Sequence, residues 1–257
     1  MNLFRPLPVS LLSLTLVLAL TLTACAPSLL PAESVDETVD TTANSAVDTA
    51  DTTTNAEVPA EPDTESEREG FHTFVIDPEA SSASYIVGEE FFGGALSKYG
   101  IPAGRQNTVG TTQAIEGTFE LNPDDLDNPL GTATFTVNLA ELSSNQGLRD
   151  RWLRDNGPEF NQYPTAEFVA TSIENAPDSY TEGDNAEFQL LGNMTIREIT
   201  QPVTFDVTAT LQDGVIAGTA IAPMKLTDFD IEPPDFANTL TVQDDFEVRV
   251  DFVANEQ

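Results

Sequence analysis

The sequence predicts an all-β domain that closes as an antiparallel barrel or sandwich and carries one short helix. Three segments predict it most directly. Residues 132–139 (TATFTVNL), 204–211 (TFDVTATL) and 245–252 (DFEVRVDF) alternate polar and apolar side chains with period two. That is the pattern of a strand with one wet and one buried face. Strands of this kind must close on themselves or on a second sheet to cover the apolar face.

Taken in order, strands are expected at residues 72–77, 84–88, 113–121, 132–139, 165–173, 187–193, 204–211, 215–221 and 245–252. Turn signals separate them: Asn122-Pro123-Asp124-Asp125, Asn128-Pro129, Glu182-Gly183-Asp184 and Gln212-Asp213-Gly214. One stretch lacks alternation. Residues 145–155 place Leu148 and Trp152 four apart behind the cap-like Ser143-Ser144-Asn145, and they end at Asn156-Gly157-Pro158. This predicts a short helix with a sharp stop. The inward faces then carry Tyr85, Ile115, Phe119, Phe135, Phe168, Phe188, Phe205, Phe246 and Phe252. Rings of that size either fill the interior or line a tunnel, and alternation alone does not choose between the two.

The chain before these strands has a different composition. Arg5 precedes an apolar run over residues 9–22, and Leu22-Thr23-Ala24-Cys25 closes it with small residues and the only cysteine. The order of charge, hydrophobe and cleavage site is that of a secretory signal, and the run is short for a membrane span. The tetrapeptide resembles the lipobox of bacterial lipoproteins, which implies cleavage before Cys25 and acylation of that residue. Residues 1–24 are thus expected to be a lipoprotein signal peptide. Residues 25–70 are Thr, Ala, Ser, Pro, Asp and Glu with almost no aromatic side chains, and are expected to form a disordered acidic tether. Residues 71–257 are expected to fold as one domain. Such a protein sits outside the cytoplasm, in the periplasm or facing the surface, with an N-terminal acyl anchor in the cell membrane or outer membrane.

Charge narrows the function classes. The whole chain has 43 acidic and 10 basic residues, and from Phe71 onward there are 31 acidic and 8 basic. A domain this acidic is unsuited to nucleic acid or to electrostatic adhesion on anionic lipid. Catalysis also lacks its usual parts. Cys25 is committed to the anchor and His72 is the only histidine, so no cysteine–histidine dyad, serine–histidine triad or histidine-rich metal site can be assembled. The adjacent acids Asp124-Asp125 and Asp244-Asp245 read as solvated turn residues. No enzyme, cofactor or metal is expected.

Several motifs together resemble one family. Arg149-Asp150 with Leu153 is followed by Phe160, Tyr163-Pro164 and Phe168; then comes Gly192-Asn193-Met194-Thr195-Ile196-Arg197-Glu198-Ile199-Thr200-Gln201-Pro202-Val203. These, with the opening Phe74-Val75-Ile76-Asp77, are similar to the signature of the YceI family in order and spacing. The resemblance implies a lipocalin-like antiparallel β-barrel of about eight strands whose interior holds an isoprenoid or quinone-like lipid. On that reading Tyr85, Phe91, Phe92, Ile115, Phe119, Phe135, Trp152, Phe168, Phe188, Phe205 and Phe246 line the barrel. Residues 89–108 are either a lid carrying Phe91 and Phe92 to the mouth or a solvated excursion.

Arg149 and Arg154 either grip an anionic head group or pair, with Arg151, to the nearby Asp150, Asp155 and Glu159. The chain departs from the family at Glu198, where glycine is common, and at Arg151-Trp152, where a histidine often follows Arg-Asp. The alternative to a lipid carrier is a non-enzymatic surface or protein-interaction domain with a solid β core.

Overall fold

The computed structural model of the protein describes residues 69–94 and 97–257; the expected signal peptide, Cys25 and nearly all of the tether lie outside them. The strands are β1 (His72–Ile76), β2 (Ser82–Phe91), β3 (Gly104–Thr112), β4 (Ile115–Leu121), β5 (Leu130–Asn138), β6 (Ser143–Ser144), β7 (Thr165–Glu174), β8 (Asn185–Ile196), β9 (Ile199–Gln212), β10 (Val215–Lys225), β11 (Asp235–Phe236) and β12 (Leu240–Glu256). Among the described residues the one α-helix, α1, spans Gly147–Asp155.

All pairings are antiparallel, and the sheet closes. β12 is long enough to take two successive partners along one edge: β2 over Leu240 to Asp251, then β1 over Ala254 to Glu256. β4 continues β3 in the same way, and β6 continues β5 against β3. The wall therefore has eight tracks, of which three are bent: β1/β2, β3/β4, β5/β6, β7, β8, β9, β10 and β12. Eight tracks enclose an interior just wide enough for one slender ligand or a filling of side chains.

Each bend is stitched by side chains that replace lost ladder bonds. Ser81, 2% exposed, accepts a hydrogen bond from Val253 N at 2.9 Å and donates to Val253 O at 3.3 Å, so β12 stays paired across the break between β1 and β2. Thr112 Oγ1 accepts from Ala114 N at the second bend. At the third, Asn138 caps the 3₁₀ turn Leu139–Glu141, and Arg154 donates to the carbonyls of Ala140 and Leu142.

At one end β9 and β10 part. Residues 222–225 pair only with β12, and residues 199–205 only with β8. The 3₁₀ turn Leu226–Phe229 packs against β9, β10 and β12 there. Gln201 Nε2 donates to Asp228 O at 2.9 Å and Arg197 Nη1 to Asp230 O at 2.6 Å, closing the gap.

Two expectations change. Residues 104–112 form β3 rather than part of a long loop, so the connection from β2 spans only residues 92–103. Ser143-Ser144 is a strand, not a cap; α1 starts at Gly147 behind Gln146, which makes no side-chain cap bond. The helix stops as expected, with the N–H groups of Asn156 and Gly157 both donating to Trp152 O at 3.0 Å.

The β8–β9 hairpin solves the problem posed by Glu198. Ile196 pairs with Ile199, and the two residues between them, Arg197 (φ 51°) and Glu198 (φ 65°), both adopt the left-handed conformation. That is the backbone of a type I′ turn, normally given to Asn or Gly. Arg197 is held in it by Asp230 and by its guanidinium lying 5.5 Å over the Tyr163 ring.

Candidate functional site

Inside the barrel is a cavity of about 490 Å³ with an almost wholly apolar wall. A belt of rings crosses one side of it, Phe119 to Phe135 at 5.6 Å, Phe135 to Phe168 at 6.4 Å and Phe168 to Phe205 at 5.0 Å, and Phe74 backs it from outside the wall, stacked on Phe119 at 5.5 Å. Across the space, Phe246, Val248, Val250 and Phe252 of β12 point inward yet remain only half-buried, because the surface they present meets the cavity rather than a packed neighbour. A filled interior would have covered them.

The structure brings together most of the residues singled out by sequence. Tyr85, Phe91, Ile115, Phe119, Phe135, Trp152, Phe168, Phe188, Phe205 and Phe246 all line the cavity. Phe92 does not: β2 alternates, so Phe91 is 4% exposed and inward while Phe92 is 38% exposed and leaves the wall. Arg154 is also absent from the lining, its guanidinium being used on the Ala140 and Leu142 carbonyls.

Nor do the arginines pair with the acids next to them in sequence. Asp150 accepts from Ser144, Asp155 from Asn161, and Glu159 lies 4.0 Å from Arg197.

Polar lining residues are confined to β2 and the start of α1: Ser84, Tyr85, Glu89, Gln146 and Arg149. Glu89 is the centre of this group. It sits four residues after Tyr85, on the same inward face of β2, with a side chain only 4% exposed. Its carboxylate takes Arg149 in a two-pronged grip, Nε to Oε1 at 2.9 Å and Nη2 to Oε2 at 2.7 Å, and accepts from Thr108 Oγ1 at 2.7 Å. Arg149 Nη1 donates to Ser144 Oγ at 2.9 Å and Asn145 Oδ1 at 3.1 Å. Asp150, 6% exposed, accepts from Ser144 N at 3.0 Å and Ser144 Oγ at 2.5 Å.

Buried charges persist only when paired and hydrogen-bonded, and this set is both. Glu89 was missed in the sequence because a carboxylate is expected outside. Parity with Tyr85 was the signal that could have placed it.

Tyr85 completes the polar end. Its ring lies across Gly110, its partner on β3, and any β-carbon at that glycine would collide with the ring. The Tyr85 hydroxyl is buried beside Ser144, out of reach of the open space, and makes no hydrogen bond of good geometry. Burial pushes its pKa up to about 12, partly opposed by Arg149, so the phenol keeps its proton.

The mouth is bounded by α1 and by the segment leading into β12. Trp152 meets Phe236 of β11 edge to face at 5.7 Å, and Leu148, 69% exposed, lines the same opening. Trp152, standing where the family often has histidine after Arg-Asp, thus contributes a ring to the mouth, while Arg151 is exposed. Among the described residues no three His, Cys, Asp or Glu side chains converge as metal ligands.

Comparison with known proteins agrees with this architecture. The YceI-like domain family matches residues 74–254. Protein YceI of Salmonella arizonae is 31% identical over 131 residues, covering 48% of this chain and 62% of that protein. BcnA of Burkholderia cenocepacia has the same fold, with a TM-score of 0.52 at 17% identity over 70% of this chain and 99% of that one. A polyisoprenoid-binding domain from Saccharophagus degradans, implicated in plant cell wall breakdown, superposes with a TM-score of 0.52 at 10% identity, over 72% of this chain and 98% of that one. With a closed eight-track barrel, the motif order of the sequence and a family match across almost the whole folded region, this chain belongs to the YceI-like family.

Proposed function

We propose that the domain binds and sequesters one isoprenoid or similarly long-chain amphiphilic lipid outside the cytoplasm, tethered to the membrane through acylated Cys25. The observation that carries the reading is the cavity itself. About 490 Å³ of space lined by aliphatic and aromatic side chains, with hydrogen-bonding groups gathered at one end, matches the shape and polarity of a molecule with a long apolar tail and a compact head. A site of this volume falls within the usual range of small-ligand pockets. A solid-core interaction domain gives no reason for Phe246 and Phe252 to face open space. The polyisoprenoid-binding domain on the same fold supports the choice of tail. The lipobox-like Leu22-Thr23-Ala24-Cys25 supports the anchor.

The test is native mass spectrometry of the full chain extracted from a bacterial envelope, with identification of the released lipid and of the modification on Cys25. A stoichiometric prenyl lipid or quinone, together with an acylated Cys25, is expected. A chain that carries no lipid and does not shift in mass with added polyprenyl lipids refutes the binding reading. An unmodified Cys25 refutes the anchor alone.

A further inference from the structure

We propose that the barrel docks mouth-first on a phospholipid bilayer, through an apolar rim of Phe92, Leu148, Trp152 and Phe236 with Arg151 beside it, and takes its lipid tail straight from the membrane. The docking stands on the rim; the uptake of a tail rests on the lipid-binding reading above. Among the described residues five large apolar side chains are exposed, and three of them, Phe92, Leu148 and Phe236, stand at this one end. Val109 and Val169 lie apart, on the outer faces of β3 and β7. The rim is continuous: Phe92 N donates to Thr239 O at 2.8 Å, Thr239 N to Phe236 O at 2.8 Å, Phe236 meets Trp152, and Leu148 lies one helical turn before Trp152. Apolar residues scattered singly are ordinary, whereas a cluster around a cavity mouth marks a surface that something covers.

Charge indicates what covers it. Arg151 follows Leu148 by three residues on the exposed side of α1, so the two are surface neighbours. Its guanidinium makes no ion pair or hydrogen bond among the described residues. Arg105 and Lys225 stand at the same end but are paired, with Glu90 and Asp245. The loops of the opposite end, residues 122–129, 175–184 and 213–214, carry acidic charges only. Rings and a leucine beside an unpaired arginine suit a membrane interface, with the apolar groups among the acyl chains and the guanidinium on a lipid phosphate. A zwitterionic surface brings little repulsion from the acidic domain, and the far end has no cation to offer it, so docking is end-on.

The path of the chain is compatible with this. β1 begins beside Leu121 and the end of β12, whereas the mouth lies at the start of β12, so residues before 69 join the barrel at the end away from the rim. Residues 26–68 can span at most about 150 Å when extended. The 17 residues of β12 cover roughly 55 Å, so a chain anchored at Cys25 can set its mouth on the same membrane. Leu148, Trp152 and Phe236 line the cavity as well as its rim, and a tail passing over them moves from acyl chains to cavity without crossing water.

The experiment uses the full chain, extracted from a bacterial envelope and reconstituted in vesicles of phosphatidylethanolamine and phosphatidylcholine, the latter with brominated acyl chains. Trp152, the only tryptophan, reports docking. Its fluorescence is expected to be quenched relative to unbrominated vesicles of the same composition. Phe92→Asp should lower the ratio of docked to undocked chain about tenfold, and Arg151→Glu about fivefold. Neither side chain lines the cavity, so both variants should bind added prenylquinone in detergent solution as the wild type does, read by native mass spectrometry. Both positions are exposed, and thermal melting checks that both variants fold.

Absence of quenching overturns the docking, and if prenylquinone still binds, the lipid-binding reading stands without it. Quenching that survives both substitutions comes from acyl chains inside the cavity and overturns the docking equally. A dimer that Phe92→Asp dissolves, with no quenching, assigns the rim to a second copy of the chain and overturns it too. Quenching lost in both variants, from a wild type that binds no prenylquinone, supports the docking and removes the uptake of a tail together with the lipid-binding reading.

Discussion

If the barrel is hollow on the β12 side, two inward phenylalanines should differ sharply in their contribution to stability. Phe74 is 1% exposed, stacks on Phe119 at 5.5 Å and is not part of the cavity wall. Its replacement by Ala removes ring packing on every side and leaves a void, so a loss of about 3–5 kcal/mol is expected. Phe246 lies opposite Val87 and Met224 on neighbouring strands, but one face of its ring meets open space. Phe246→Ala gives up only part of a buried side chain and simply enlarges an existing space, for a loss of about 1–1.5 kcal/mol.

For a domain of this size each kcal/mol moves the melting temperature by about 2–4 °C. Thermal melts of the lipid-free full chain, followed by circular dichroism, should therefore show Phe74→Ala falling by roughly 6–20 °C and Phe246→Ala by roughly 2–6 °C. Equal falls would mean that Phe246 is packed as tightly as Phe74, and the hollow-barrel reasoning would fail.

Three further substitutions probe how the wall is built. Gly192 faces Ala170 across the β7–β8 pair, and a β-carbon there would strike Val169 O and the Phe168 ring; Gly192→Ala should cost about 2–3 kcal/mol in denaturant unfolding, and a cost near zero would show that the wall yields. Glu198→Gly should stabilise the β8–β9 turn by about 1 kcal/mol, because glycine adopts φ 65° without the penalty of a side chain; a loss of stability would mean that the Glu198 side chain contributes more than the strain it imposes.

The carboxyl of Asp244 is held below its ordinary 3.8, first by the Thr227 N–H and then by the Thr227 hydroxyl and Lys225. A lowered folded-state value stabilises above the unfolded value and is lost as pH falls through the folded one. Asp244→Asn should thus flatten the fall in stability on acidification below about pH 4, and an unchanged acid limb would refute that role.

The parts of the fold that sequence conveyed are those where inward positions are apolar. β5, β9 and β12 alternate cleanly because every second residue meets the cavity or the ring belt. β3 was illegible for a physical reason. Its inward residues are Thr108, Gly110 and Thr112, chosen to bond Glu89, to admit the Tyr85 ring and to stitch a bend, while its one large apolar residue, Val109, points out and is 47% exposed. Hydrophobic period cannot report a strand whose inner face serves a polar site. Phe91 and Phe92 were separable by the parity of β2, since Tyr85, Val87, Glu89 and Phe91 share one face. The partner of Arg149 was not: Glu89 stands 60 residues away, and only the closure of β2 against β3 and β6 brings it to α1.

The unfilled interior is also an energetic statement about function. A void in a protein forfeits about 24 cal/mol per Å³ relative to a packed interior, so an empty cavity of about 490 Å³ would sacrifice on the order of 10 kcal/mol. That is comparable with the whole stability of a typical domain. Filling it would be simple in sequence terms, since Ala133, Ala209 and Ala220 all line the wall and any of them could be larger. Small side chains at those positions keep the space open, and the ring belt and the stitched bends keep the barrel closed around it. An apolar tail of matching size would restore the missing dispersion contacts on binding. Occupancy would then raise stability by about 2.7 kcal/mol at a lipid concentration one hundred times its dissociation constant. On this argument a bound lipid would complete the core that the chain leaves open.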